Sequence, residues 1–146
     1  MSYRGLIILV VITLAGFAAF GTYWSVMPGG RSLDFIFTAQ GLHDALSAWD
    51  ANDRAYHVFG TRVLDSLFPL LYGVTIFVVC LRYATGWWRA LLVSLTFAAI
   101  AADFTENQLN LALLAGDDVF VVHLWATWIK FVCLVPPILE SVADMA

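Results

Sequence analysis

The chain has 146 residues, of which 62% are hydrophobic and 12% charged, and its mean hydropathy is +0.85. Soluble domains keep roughly a quarter of their residues charged, so a water-soluble fold is excluded and the lipid bilayer is the surrounding solvent. A net charge of −4 with no basic cluster also argues against nucleic acid and anionic headgroups as partners.

The first apolar run, residues 5–26, is long enough to cross a hydrocarbon core as a helix, which takes about 20 residues. The stretch Leu6-Ile7-Ile8-Leu9-Val10-Val11-Ile12 has none of the strict alternation that a barrel strand needs. Arg4 ahead of it and small residues at Ala15, Gly16, Ala18 and Ala19 imitate a signal peptide. The run nevertheless continues to the interfacial pair Tyr23 and Trp24, which predicts a retained helix. Without charge and rich in small residues, this span suits close helix contact, closing a bundle or forming a homodimer face.

Met27-Pro28-Gly29-Gly30 predicts the end of that helix, because proline blocks continuation and glycine frees the backbone. The segment 28–57 is the one sizeable element expected outside the bilayer. Thr38 suits an N-cap, and Leu42, Ala45, Leu46 and Trp49 then recur at helical spacing, opposite His43, Asp44, Ser47 and Asp50. This short amphipathic helix lacks a cationic face, so it is expected to cap the bundle rather than to bind lipid. Asn52 or Asp53 should start the helix that leads into span two.

Three more apolar runs, about residues 59–81, 88–114 and 120–139, complete an all-α bundle of four transmembrane helices in a single integral membrane domain, 1–146. Arg4, Arg82 and Arg89 lie at one side of these spans, and Asp117 and Asp118 at the other. By the positive-inside rule both termini are cytoplasmic, in a cell membrane of bacterial inner-membrane type.

Ionisable residues inside such spans are costly and usually face a protein interior. In span two Arg62, Asp65, Pro69, Tyr72 and Ile76 share one stripe. Span three places Asp103, Glu106, Asn107 and Asn110 on one face, and span four aligns His123, Thr127, Lys130 and Leu134. At a rise of about 1.5 Å per residue, Asp65, Asp103 and Glu106 fall outward of the midplane, Lys130 close to it and Tyr72 slightly inward, all within one side chain's reach in height.

The spacing Asp65-x-x-Phe68-Pro69-x-x-Tyr72-Gly73, then Asp103-x-x-Glu106-Asn107 and a lone Lys130, resembles a group of small four-span bacterial membrane proteins of uncharacterised function. The resemblance covers roughly residues 53–133. It implies the topology and a shared use of these residues, and no particular chemistry.

Three carboxylates facing one ammonium group leave an excess of negative charge that a low-dielectric interior will not hold uncompensated. A proton, a bound cation, a cationic ligand or Arg62 folding down from the outer edge of span two would each serve. The leading reading is a site for a small ligand, cation or proton, with transport in view, formed by Asp65, Asp103, Glu106, Asn107 and Lys130 with Tyr72 and Arg62 beside them. One alternative is an accessory or scaffold subunit of a larger membrane complex, whose polar cluster only fixes helix register. Another is a membrane-embedded enzyme using acid–base carboxylates on a lipid or isoprenoid.

A weaker constellation is His57 and His123, at the outer ends of spans two and four, with Asp117 close by as a candidate metal site. No compact His-x-x-x-His pair supports it. Phosphate loops, serine nucleophile motifs and Cys-x-x-Cys are all lacking, and no cofactor is expected. Cys80 and Cys133 lie too far apart in depth for a disulfide.

Overall fold

The computed structural model describes residues 2–26 and 32–143; the expected break at Met27-Pro28-Gly29-Gly30 lies outside the described residues. Helix α1 spans Tyr3–Ser25 and α2 spans Ala39–Ala48. Helix α3 (Ala51–Phe59) runs through a π turn, Gly60–Leu64, into α4 (Asp65–Tyr83), then α5 (Gly86–Ala115) and α6 (Phe120–Ala143) follow. Four helical rods, α1, 51–83, α5 and α6, are long and apolar enough to cross a membrane. The chain is an all-α membrane bundle.

Local chemistry explains the boundaries. Ser2 Oγ accepts from Gly5 N–H at 3.2 Å and starts α1, and Thr38 Oγ1 accepts from Gly41 N–H at 3.1 Å and starts α2, as its sequence predicts. The helix leading into span two begins earlier than Asn52 or Asp53. Asp50 is its cap, bonded to the Asn52 and Asp53 amides, while the Asp53 carboxylate reaches back to Asp50 N–H at 3.1 Å. That reciprocal capping box satisfies the first free amides and draws residues 51–57 of the expected outer loop into helix. At the same end of the bundle, where Arg54 of α3 donates to Leu114 O, α5 stops at Gly116, whose φ of +101° only glycine adopts readily.

Helix α5 packs broadly on α6 and on α4, and α4 in turn carries α1. The α1–α4 seam holds a hydroxyl pair, Thr13 to Thr75 at 2.6 Å, and an aromatic cluster in which Phe20 stacks on Phe68 at 4.8 Å while Phe17 meets it edge-on. A Cβ on Gly73 would collide with Ile100, so the glycine sets how closely α4 and α5 approach. Helix α1 has no extensive contact with α6 and joins the bundle chiefly through α4.

Among the described residues two apolar cores result. One, at the α2 end, gathers Trp24, Leu33, Leu42, Leu46, Trp49 and Leu113, so α2 packs on the bundle by its apolar face. The other gathers Tyr72, Ile76, Cys80 and Leu92. Along α5 the polar residues Asp103 to Asn110 lie between Leu92 and Leu113, so the bundle carries a polar layer between two apolar ones.

Candidate functional site

The backbone of α4 is shaped for this layer by its proline. Pro69 has no N–H, so the carbonyl of Asp65, one turn earlier, loses its helical donor. Asn107 on α5 supplies the replacement: its Nδ2 donates to Asp65 O at 2.8 Å. The two motifs thus meet in space, because buried carbonyls at membrane depth need a partner. Asn107→Leu is expected to cost about 1–3 kcal/mol, and restoring the donor with Pro69→Ala should return most of it. A double-mutant cycle of equilibrium unfolding in detergent checks this; purely additive losses would refute the pairing.

Lys130 is the hub of the layer. Its Nζ contacts Glu106 Oε2 closely, Asp103 Oδ1 at 3.4 Å and Asp34 Oδ2 at 3.8 Å. Tyr72 Oη donates to Asp103 Oδ2 at 2.7 Å, and Thr127 Oγ1 donates to Glu106 Oε1. Glu106 and Asn107 are buried without appreciable exposure. Asp65, Tyr72, Asp103, Glu106, Asn107 and Lys130 therefore occupy one buried layer.

Asp34 is the member that sequence reasoning missed. It stands in a short 3₁₀ turn, Leu33–Phe35, that dips from the outer segment into the bundle. Two side chains hold it there. Leu33 N–H donates to His57 Nε2 at 3.1 Å, and His57 is wedged between Trp24 and Trp49. Asn110 Nδ2 donates to Asp34 Oδ1 at 2.8 Å, which leaves Asn110 Oδ1 to accept from His123 Nε2 at 2.7 Å. The amide orientation is set by the carboxylate it serves, so His123 carries its proton on Nε2. The only hint in the sequence is an acid amid Leu33, Phe35 and Ile36, too apolar a setting for a solvated loop.

Arg62 does not join the layer. A π turn closes by i→i+5 bonds and so holds more than four residues, and the Asp65 amide bonds to Gly60 O. The residue sharing Asp65's face is then Thr61, four back, rather than Arg62, three back. Thr61 is fully buried and Arg62 is exposed, with no ion pair to Asp65 among the described residues.

Asp65 is left without a counter-charge. It is 3% exposed, and neither carboxylate oxygen has a hydrogen-bond partner. Thr61 lies alongside; its Oγ1 accepts from His57 Nδ1 at 3.2 Å, since His57 Nε2 already accepts from Leu33 N–H, so the Thr61 hydroxyl proton remains available to Asp65. Asp65 lines a cavity of 160 Å³ together with Asp34, Tyr72, Asp103 and Lys130. Its remaining walls are aromatic and aliphatic.

No family model, curated protein or solved structure matches this chain. The site's meaning therefore rests on its own chemistry.

The histidine constellation is not assembled. His57 and His123 are both buried and engaged in the bonds just described, whereas Asp117 is exposed in the α5–α6 turn. Among the described residues no group of three histidine, cysteine or acidic side chains could hold a metal ion. Neither Cys80 nor Cys133 is in a disulfide.

Proposed function

We propose that this protein is a cell-membrane protein with cytoplasmic termini that binds a small ligand, cation or proton in the polar layer, and that transport or sensing of that species is its task. The proposed site residues are Asp65, Asp103, Glu106, Asn107, Lys130 and Tyr72, with Asp34 added and Arg62 outside it. The single observation that carries this reading is the unpartnered Asp65 carboxylate facing a cavity. Four carboxylates, including Asp34, meet one ammonium group, and an ion buried at membrane depth without compensation costs several kcal/mol. A residue kept only for helix register would be bonded to a neighbouring helix, as Asn107 and Asp103 are.

Orientation follows from charge. Arg82 and Arg89 flank the α4–α5 turn and Asp117 and Asp118 the α5–α6 turn, which favours the first side as cytoplasmic.

Native mass spectrometry of the detergent-purified protein tests the binding reading. The wild type is expected to retain a small molecule that Asp65→Asn lacks. Identical spectra without retained mass in either protein would count against a ligand site, and a stoichiometric protein partner would favour a subunit role.

A further inference from the structure

The binding reading leaves the class of ligand open, and the cavity walls narrow it. Its lining includes Asp34, Asp65 and Asp103, with Lys130 already shared among carboxylates. It also includes Phe17 and Phe20 of α1, Phe68 of α4 and Phe131 of α6. At 160 Å³ the space is comparable to engineered cavities of about 150 Å³ that accept a benzene ring. A bare metal ion would need several oxygen ligands and has no use for four phenyl rings.

Carboxylates and aromatic faces together recognise organic cations, because the ring quadrupole attracts an ammonium group that also seeks a counter-charge. The wall already tolerates such an arrangement. Lys130 Nζ lies 5.3 Å from the centre of the Phe131 ring.

The position of the mouth also bears on the ligand. The lining draws on α4, α5 and the 3₁₀ turn and also on both α1 and α6, two helices that have no extensive contact with each other. Phe17, near the middle of α1, is 57% exposed, and Phe35 at the rim is 56% exposed. Both rings sit where lipid would lie. A ligand using this mouth must partition into the bilayer and bring its charge to Asp65 from the side.

We propose that the occupant is a small amphipathic organic cation, an amine bearing an aromatic or short apolar body, which reaches Asp65 laterally between α1 and α6. This rests on the ligand-site reading above and deepens it.

The test uses phenethylammonium as the probe, titrated calorimetrically into the full chain in nanodiscs of uncharged lipid, with propylbenzene and sodium chloride titrated in parallel. Saturable binding of phenethylammonium is expected, weakened about tenfold or more by Asp65→Asn, with propylbenzene weaker by a similar factor. Phe17→Ala should weaken it about two- to fivefold, the size of an exposed cation–ring contact, and Phe17→Leu, which keeps apolar packing against Phe68 without a ring face, should do the same. Equal binding of propylbenzene, or affinity indifferent to Phe17→Ala, would overturn the organic-cation assignment. Saturable binding of sodium without phenethylammonium would overturn the ligand class while leaving the site standing. No binding of any probe, with no retained mass in the wild type, would bring down both.

Discussion

Lys130→Met is expected to lower the equilibrium stability of the bundle by about 3–5 kcal/mol, the largest loss from any single change in the polar layer. The ammonium is the common partner of Asp34, Asp103 and Glu106, so its removal leaves each of them buried beside the others without a cation. Methionine fills similar volume, which confines the effect to charge and hydrogen bonding. Glu106→Gln should cost less, since the amide can still accept from Thr127 and one negative charge is gone. Combining the two should recover part of the Lys130→Met loss, because the remaining carboxylates repel less. Urea or mixed-micelle unfolding followed by tryptophan fluorescence reads all three. A Lys130→Met protein as stable as the wild type would mean that the acids are not charged together in the resting state.

The same arrangement explains how the outer segment is held. Asp34 reaches Lys130 directly and His123 through Asn110, and His57 fixes the neighbouring Leu33 amide. Irregular backbone is tolerated at membrane depth only where protein surrounds it. Leu33 and Asp34 meet that condition, buried among His57 of α3, Asn110 of α5, Lys130 of α6 and Trp24 of α1, while the Phe35 ring is exposed.

Much of this was legible in the sequence, and the reasons it was legible are specific. The four rods follow from apolar runs longer than a bilayer is thick, a signal that needs no tertiary information. The shared face of Asp103, Glu106, Asn107 and Asn110 follows from spacings of three and four on a helix that stays regular throughout. Periodicity failed where the helix is not α. The π turn before Asp65 exchanges Arg62 for Thr61 on the buried face, and no residue pattern announced it beyond Gly60 itself. Asp34 escaped for a related reason: a three-residue 3₁₀ turn has no repeat from which to read a direction. The Asp50 start of α3 could have been found, since Asp50-x-x-Asp53 has the spacing of a capping box. His57 and His123 misled because their positions near span ends suggested an aqueous surface, whereas α2 and the loop cover that end with a tryptophan-rich core.

Asp65→Asn is the second change with a large expected effect, and its sign is what matters. Asp65 differs from every other acid of the layer in having no ion pair and only the Thr61 hydroxyl beside it as a donor, while the cavity it faces is large enough for a ligand. An uncompensated buried carboxylate destabilises the empty protein, so a neutral amide of the same shape should relieve that cost. Binding sites commonly hold such conflicts, trading stability for function. A residue serving only as interhelical glue has the opposite expectation, because its loss breaks a contact.

The most direct measurement is the equilibrium unfolding free energy of ligand-free wild type against Asp65→Asn in the same detergent. The expected result is a variant more stable by about 1–3 kcal/mol. A variant destabilised by that amount would show that Asp65 holds the bundle together, and would contradict its assignment as the open end of a binding site.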